Sequence, residues 1–187
     1  AQGIKIYSDI PQGVKPLRIL LLNLMPIKQV TESDIARQLS KTDLPVELIL
    51  VKIRGQKYKN TSQEHMDMFY RNFDELASKQ YDGMIVTGAP VERIPFEDVR
   101  YWKQLTEIFD WSRTEIGSAV YLCWGAQVGL YHHYGVPKYD LPKKLFGVYK
   151  QELMKQNLPI FRDIPSVFNM PNSRYTEVRK SDIDKVD

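Results

Sequence analysis

Short apolar runs and longer amphipathic stretches alternate along the first two thirds of this chain. Leu17 to Asn23, LRILLLN, is apolar on both faces and ends in polar residues and Pro26, which predicts a buried strand. Thr31 with Asp34 is a weak capping box and predicts the start of a helix burying Ile35 and Leu39. Val46 to Val51 reads as the second strand. Ser62 is a good N-cap for a second helix, with Met66, Phe69, Phe73 and Leu76 spaced by three, four and three. Met84 to Val86 carries a third strand into TGAP. A third helix places Val99, Trp102, Leu105 and Phe109 on one side. Ala119 to Leu122 is a fourth strand, and a helix carrying Ala126, Leu130 and Tyr134 follows almost at once.

This alternation predicts an α/β fold, three-layer α/β/α, with a mostly parallel central sheet. Such sheets bind ligands outside the carboxyl ends of their strands. Those ends are Asn23 to Lys28, Thr87 to Glu92 and Cys123 to Gly125. Residues 1–16, with Gly3, Pro11, Gly13 and Pro16, read as an irregular lead-in, and 17–187 as the α/β domain. After Pro137 the pattern weakens. Leu145–Tyr149 and Tyr175–Val178 are candidate strands before a charged ending.

Composition narrows the function. With 26 basic and 23 acidic residues the formal net charge is +3, and no basic stripe is visible, so no nucleic-acid partner is expected. The longest mostly apolar run, Leu17 to Met25, is roughly half a membrane span, and no arginine-flanked apolar leader is visible, so neither export nor membrane spanning is expected. One cysteine excludes an internal disulfide and suits a reducing, cytoplasmic compartment. Three histidines and one cysteine make a poor structural metal site, so no metal is expected.

That cysteine, Cys123, stands between SAVYL and WGAQVGLYHHY. By residue type a lone cysteine is a small buried hydrophobe. A sharp strand-to-helix turn would instead expose it at the top of the sheet, a nucleophile elbow. The helix N-terminus would then offer free amides and a positive dipole end, suited to a thiolate and an oxyanion. Gly125 would let the chain run close to a ligand. A base is harder to find. His65 reads as a capping or packing residue. His132 and His133 lie roughly 14 Å further along the same helix.

Several segments carry a resemblance: PLRILLLNLMPIK (Pro16–Lys28), NTSQEHMDMFY (Asn60–Tyr70), YDGMIVTGAPVERIPFEDVRYW (Tyr81–Trp102), LCWGAQVGLYHHYGVPK (Leu122–Lys138), KKLFGVY (Lys143–Tyr149) and PNSRYTEV (Pro171–Val178). In these the chain resembles the homoserine O-acyltransferases of the succinyltransferase-like family, relatives of class I glutamine amidotransferases. The resemblance implies a flavodoxin-like, amidotransferase-like fold and a ping-pong reaction through an acyl-cysteine. Cys123 matches the nucleophile, the Trp124 amide looks like an oxyanion donor, and Lys28 matches a lysine beside the acyl site. Glu92 matches the position that sorts acyl donors: glutamate resembles acetyl-CoA users, glycine succinyl-CoA users. Lys144 and Ser173 match contacts to the amino-acid acceptor.

The resemblance therefore implies an acetyl-CoA:L-homoserine O-acetyltransferase of methionine biosynthesis. Acetyl-CoA is a substrate, no cofactor is permanently bound, and a homodimer is left open. Two departures matter. The family's later histidine and glutamate fall outside these 187 residues, so the domain reads as incomplete at its C-terminus. Asn172 stands where the family usually has histidine, beside Ser173 and Arg174, and Arg174 is itself a candidate carboxylate binder. L-serine is then an alternative acceptor. Homoserine O-succinyl transfer and a non-catalytic amidotransferase-like module are the remaining alternatives.

Overall fold

Leu20, Leu21 and Leu22 are each fully buried although they are consecutive in one strand. Successive strand residues point to opposite faces, so both faces of this strand are covered. It is β1 (Leu17–Leu22), the middle strand of a five-stranded sheet in a computed structural model that describes residues 12–154 and 158–186. Most of the expected lead-in, residues 1–11, lies outside the described residues.

β1 is followed by α1 (Lys28–Leu39), β2 (Val46–Lys52), α2 (Gln63–Phe69), β3 (Tyr70–Asn72), β4 (Tyr81–Val86), α3 (Trp102–Glu115), β5 (Ile116–Tyr121) and α4 (Trp124–Tyr134). The strand order is β3-β2-β1-β4-β5 and every pairing is parallel, with Leu22 beside Val51 on one side and Val86 on the other. Without the three-residue edge strand β3 the order is the flavodoxin type, as expected; with it, the order is that of doubly wound dinucleotide folds. Successive strands are added to one side of β1 and then, from β4 on, to the other, so right-handed connections put α1 and α2 on one face and α3 on the other. Leu20 and Leu22 share a core with Leu105, Ile108 and Phe109 of α3. Leu21 and Met66 of α2 are buried outside that core.

The local readings need four corrections. The first helix starts at Lys28, not Thr31; Ile35 and Leu39 on it are half-buried. The second starts under the Ser62 cap as expected, the hydroxyl accepting from the His65 amide at 3.2 Å, but it stops at Phe69. Phe73 therefore lies in a separate 3-10 turn, and Phe69 is half exposed. Val99 precedes α3 instead of lying on it. In α4 the buried residues are Trp124, Gly125, Val128 and Gly129, not the Ala126, Leu130 and Tyr134 side.

The described residues divide into two compact units, one ending at Pro137 and one beginning at Lys138. The second is an antiparallel ribbon of β6 (Tyr139–Glu152) and β7 (Val167–Glu177), followed by the short α5 (Lys180–Ile183). The candidate strand Leu145–Tyr149 is thus part of β6, and Tyr175–Val178 is the end of β7 except for Val178, which lies past it. Among the described residues no helix is long and apolar enough to cross a membrane.

Candidate active site

Cys123 joins β5 to α4 with φ 54° and ψ −121°, and among the described residues it is the only non-glycine at positive φ. L-residues avoid this region, and holding one there costs about 1–3 kcal/mol. The cysteine is exposed, not packed as a small hydrophobe. What holds it is the sheet behind it. The Leu122 amide donates to the Val86 carbonyl at 2.9 Å, extending the β4–β5 pairing by one residue. The Gly125 amide then closes on the Leu122 carbonyl at 2.9 Å and starts the helix.

Two glycines make the turn fit. A Cβ on Gly125 would stand 2.7 Å from the Thr87 carbonyl oxygen. Gly125 is thus required by helix-against-strand packing, a correction to the expectation that it makes room for a ligand. Gly88 is the residue the sequence did not single out. A Cβ there would lie 3.0 Å from Cys123 Cβ, 3.3 Å from its Sγ and 3.5 Å from the Trp124 nitrogen. The Gly88 segment is fastened by Thr87, whose buried hydroxyl donates to the Gly88 carbonyl at 3.0 Å and accepts from the Leu24 amide at 2.8 Å.

The Trp124 side chain is 1% exposed, packed on Phe96 and Tyr101, and among the described residues its indole N–H has no acceptor. Its backbone amide heads α4, where helical geometry leaves the first N–H groups unpaired. Glu92 sits half-buried in the turn that follows Gly88.

Lys28 opens α1 at the carboxyl end of β1 and is 3% exposed. Its Nζ donates to the Asn23 carbonyl and lies 4.8 Å from the centre of the Tyr58 ring. Burial pulls its pKa down to about 8, against the opposing pull of the Glu32 carboxylate. Burial likewise pushes the Tyr58 phenol up to about 12.

The histidines are committed elsewhere. His65 pairs through Nε2 with Glu32 at 3.0 Å, and His132 through Nε2 with Asp110 of α3 at 2.7 Å. The His133 ring stacks on Phe109; burial, helped by neighbouring His132, lowers its pKa. His132 and His133 occupy the last turn of α4, the opposite end from Cys123.

The ribbon carries the other four expected site residues and sorts them by face. Phe146 pairs with Ser173, Gly147 with Asn172, and Leu145 with Arg174. Lys144 Nζ lies 5.4 Å from the Phe146 ring and 5.3 Å from the Tyr175 ring. With the two-residue period of a strand, Lys144, Phe146, Ser173 and Tyr175 share one face and Asn172 and Arg174 the other. Arg174 donates to the Thr176 carbonyl at 3.0 Å, and Asn172 Nδ2 to the Met170 carbonyl at 3.1 Å.

The first unit is therefore a parallel α/β domain with an exposed cysteine in a left-handed turn at the carboxyl end of its sheet. Sequence comparison gives the family. The chain belongs to the homoserine O-succinyltransferase family, whose sequence profile matches residues 6–187. It is 57% identical over 175 residues to a homoserine O-acetyltransferase of Parabacteroides distasonis, covering 94% of this chain and 56% of the relative. It is 55% identical to the enzyme of that name from Bacteroides fragilis and 49% identical to that from Brevibacillus brevis, covering 94% of this chain and 57% of each relative. The chain thus spans a little over half the length of these relatives.

Proposed function

We propose that the protein is an acetyl-CoA:L-homoserine O-acetyltransferase acting through an acetyl-thioester on Cys123. The observation that carries this reading is the strained Cys123 at the head of α4, with the Trp124 amide and the bare Gly88 beside it. A strained backbone at an exposed nucleophile is what a nucleophile elbow requires. The Cys123 thiolate attacks the thioester carbonyl of acetyl-CoA. The carbonyl oxygen takes up negative charge against the Trp124 amide, and the C–S bond to CoA breaks. CoA leaves as its thiol after gaining a proton. The acceptor hydroxyl then attacks the acetyl-cysteine, loses its proton to a base, and Cys123 is released.

None of the three histidines is joined to Cys123, and each has the surroundings described above. We assign the base to sequence outside these 187 residues, where the relatives have further chain. The buried Lys28 ammonium lies at the same end of the sheet and serves the acyl site. Glu92 sets the donor: a carboxylate beside the acyl tail tolerates acetyl and repels the free carboxylate of a succinyl group. Lys144 and Ser173 hold the acceptor. Asn172 and Arg174, on the other ribbon face, support the strand that carries Ser173.

The test is intact-mass analysis of the full-length protein mixed with acetyl-CoA without acceptor. One added acetyl group is expected, lost in Cys123→Ala. Equal acetylation of the variant overturns the covalent role.

A further inference from the structure

Two of the segments that carry the family likeness, around Asn23–Lys28 and around His65–Tyr70, meet in one buried polar network. Asn23 is 2% exposed, at the end of β1. Its Nδ2 donates to the Tyr70 hydroxyl at 2.9 Å and to the Lys28 carbonyl at 3.3 Å, and its Oδ1 accepts from the Met25 amide at 3.2 Å. Asn23 thereby closes the loop that leads into α1, and its own carbonyl accepts from Lys28 Nζ.

The Tyr70 hydroxyl, having accepted from Asn23, donates to the Glu32 carboxylate at 2.5 Å. Burial, and then the hydrogen bond to Glu32, push the Tyr70 phenol well above its ordinary range, so it remains a neutral donor. Glu32 also holds His65 Nε2 at 3.0 Å, and its side chain is only 15% exposed. Groups from α2 and β3 thus converge on one carboxylate of α1, one helical turn from Lys28.

We propose that Glu32 is a positioning residue for Lys28, holding it through Tyr70 and Asn23 and keeping it an ammonium by charge. The proposal rests on the acyltransferase reading for its purpose but not for its test. An ammonium has three N–H groups, and among the described residues Lys28 uses one, on the Asn23 carbonyl, while a π face covers another side. A buried cation with so few acceptors is costly and mobile unless a nearby anion and a fixed loop hold it. The network supplies both. Lys28 Nζ lies over the Tyr58 ring from the segment before α2 and feels the charge of Glu32 from α1, while His65 of α2 and Tyr70 of β3 reach it only through Glu32 and Asn23. Glu32 is the one whose charge acts on it.

The experiment is a pH titration of lysine 13Cε signals in the full-length protein, with Lys28 assigned by Lys28→Met. In Glu32→Gln the Lys28 midpoint should fall by about half a pH unit or more. The alkaline fall of kcat should move with it. Tyr70→Phe keeps the carboxylate and cuts the tether, so it should lower kcat about tenfold with a smaller midpoint change. Glu32→Asp, which keeps the charge, should restore the midpoint. An unmoved midpoint in Glu32→Gln overturns the proposal even if the enzyme acylates normally. A moved midpoint in a protein that transfers no acyl group removes the acyltransferase reading and leaves the coupling standing.

Discussion

The α-carbon of Gly88 faces the side chain of Cys123 so closely that a methyl group there would stand 3.0 Å from Cβ and 3.3 Å from Sγ. The same methyl would stand 3.5 Å from the Trp124 nitrogen, where a developing oxyanion would seek its donor. Gly88→Ala should therefore lower kcat/KM about tenfold or more, because the cysteine turn must give by a few tenths of an ångström. Thermal unfolding should change little, since the nearest atoms belong to the exposed Cys123 side chain, which can give way. Full activity in Gly88→Ala would show that the space over Sγ is not used. Gly125→Ala makes the contrast: its methyl would meet a backbone oxygen at 2.7 Å. It should cost about 1–3 kcal/mol, seen as a lower melting temperature.

The strain at Cys123 makes a separate prediction. Alanine at position 123 keeps the penalty of φ 54°, whereas glycine does not. Cys123→Gly should thus be more stable than Cys123→Ala by about 1 kcal/mol, although both lack the nucleophile. Calorimetry or thermal denaturation of the two proteins decides it. Equal stability would mean that the turn is relaxed.

Much of this was legible in the sequence because strand and helix periods differ. The parallel sheet, the Ser62 cap and the position of Cys123 between a strand and a helix all follow from that difference. Where the reading slipped, a tertiary contact outweighed local pattern. Met66 to Leu76 has helical spacing, but Tyr70 leaves the helix to pair with Leu50 and to reach Glu32. In α4 the glycine side is buried because it must pass close to Val86 and Thr87, which an apolar count cannot foresee. Gly88 was hidden for the same reason, since its neighbour lies 35 positions away. His65 read as a cap, and its amide is one; only the fold shows that its ring holds Glu32.

Lys28 gives a pH dependence of known sign. Its folded pKa of about 8 lies below the ordinary 10.5. Between those values the unfolded chain holds more protons at this site than the folded one. Stability contributed by this group therefore rises as pH rises from about 8 to about 10.5, and below 8 the buried ammonium costs about 3 kcal/mol. Lys28→Met should thus be the more stable protein at pH 7, with the gap closing toward pH 10.5. The difference between the two proteins is the proper readout, because Tyr58, Tyr70 and Tyr101 have raised pKa values and act oppositely at high pH. A gap independent of pH would show that Lys28 is not desolvated. Urea titrations at pH 7, 8.5 and 10 measure it.

Donor choice is tested at Glu92. Replacing it with glycine removes a charge from the turn after Gly88 and should raise the succinyl-CoA to acetyl-CoA ratio of kcat/KM about tenfold or more. An unchanged ratio would move the determinant to other residues. The same variant should retain acetyl transfer, since no step of the cysteine chemistry passes through this carboxylate.

Acceptor choice turns on the two faces of the ribbon. By sequence adjacency, Asn172 and Ser173 would both be expected to shape the acceptor pocket. Strand geometry separates them: Ser173 pairs with Phe146 on the face that carries Lys144 and Tyr175, while Asn172 pairs with Gly147 on the other. A side chain on the opposite face can reach the acceptor only through the backbone. One methylene, the difference between L-homoserine and L-serine, is worth about 1–3 kcal/mol in a fitted pocket. Ser173→Ala should therefore raise the KM for L-homoserine about tenfold. Asn172→His should change the homoserine-to-serine ratio of kcat/KM by no more than about threefold, because it adds no group on the Ser173 face. Both ratios come from one assay of full-length protein with acetyl-CoA and each acceptor in turn. A large swing in Asn172→His with little effect of Ser173→Ala would place the acceptor on the other face of the ribbon and make Arg174, not Lys144, its neighbour.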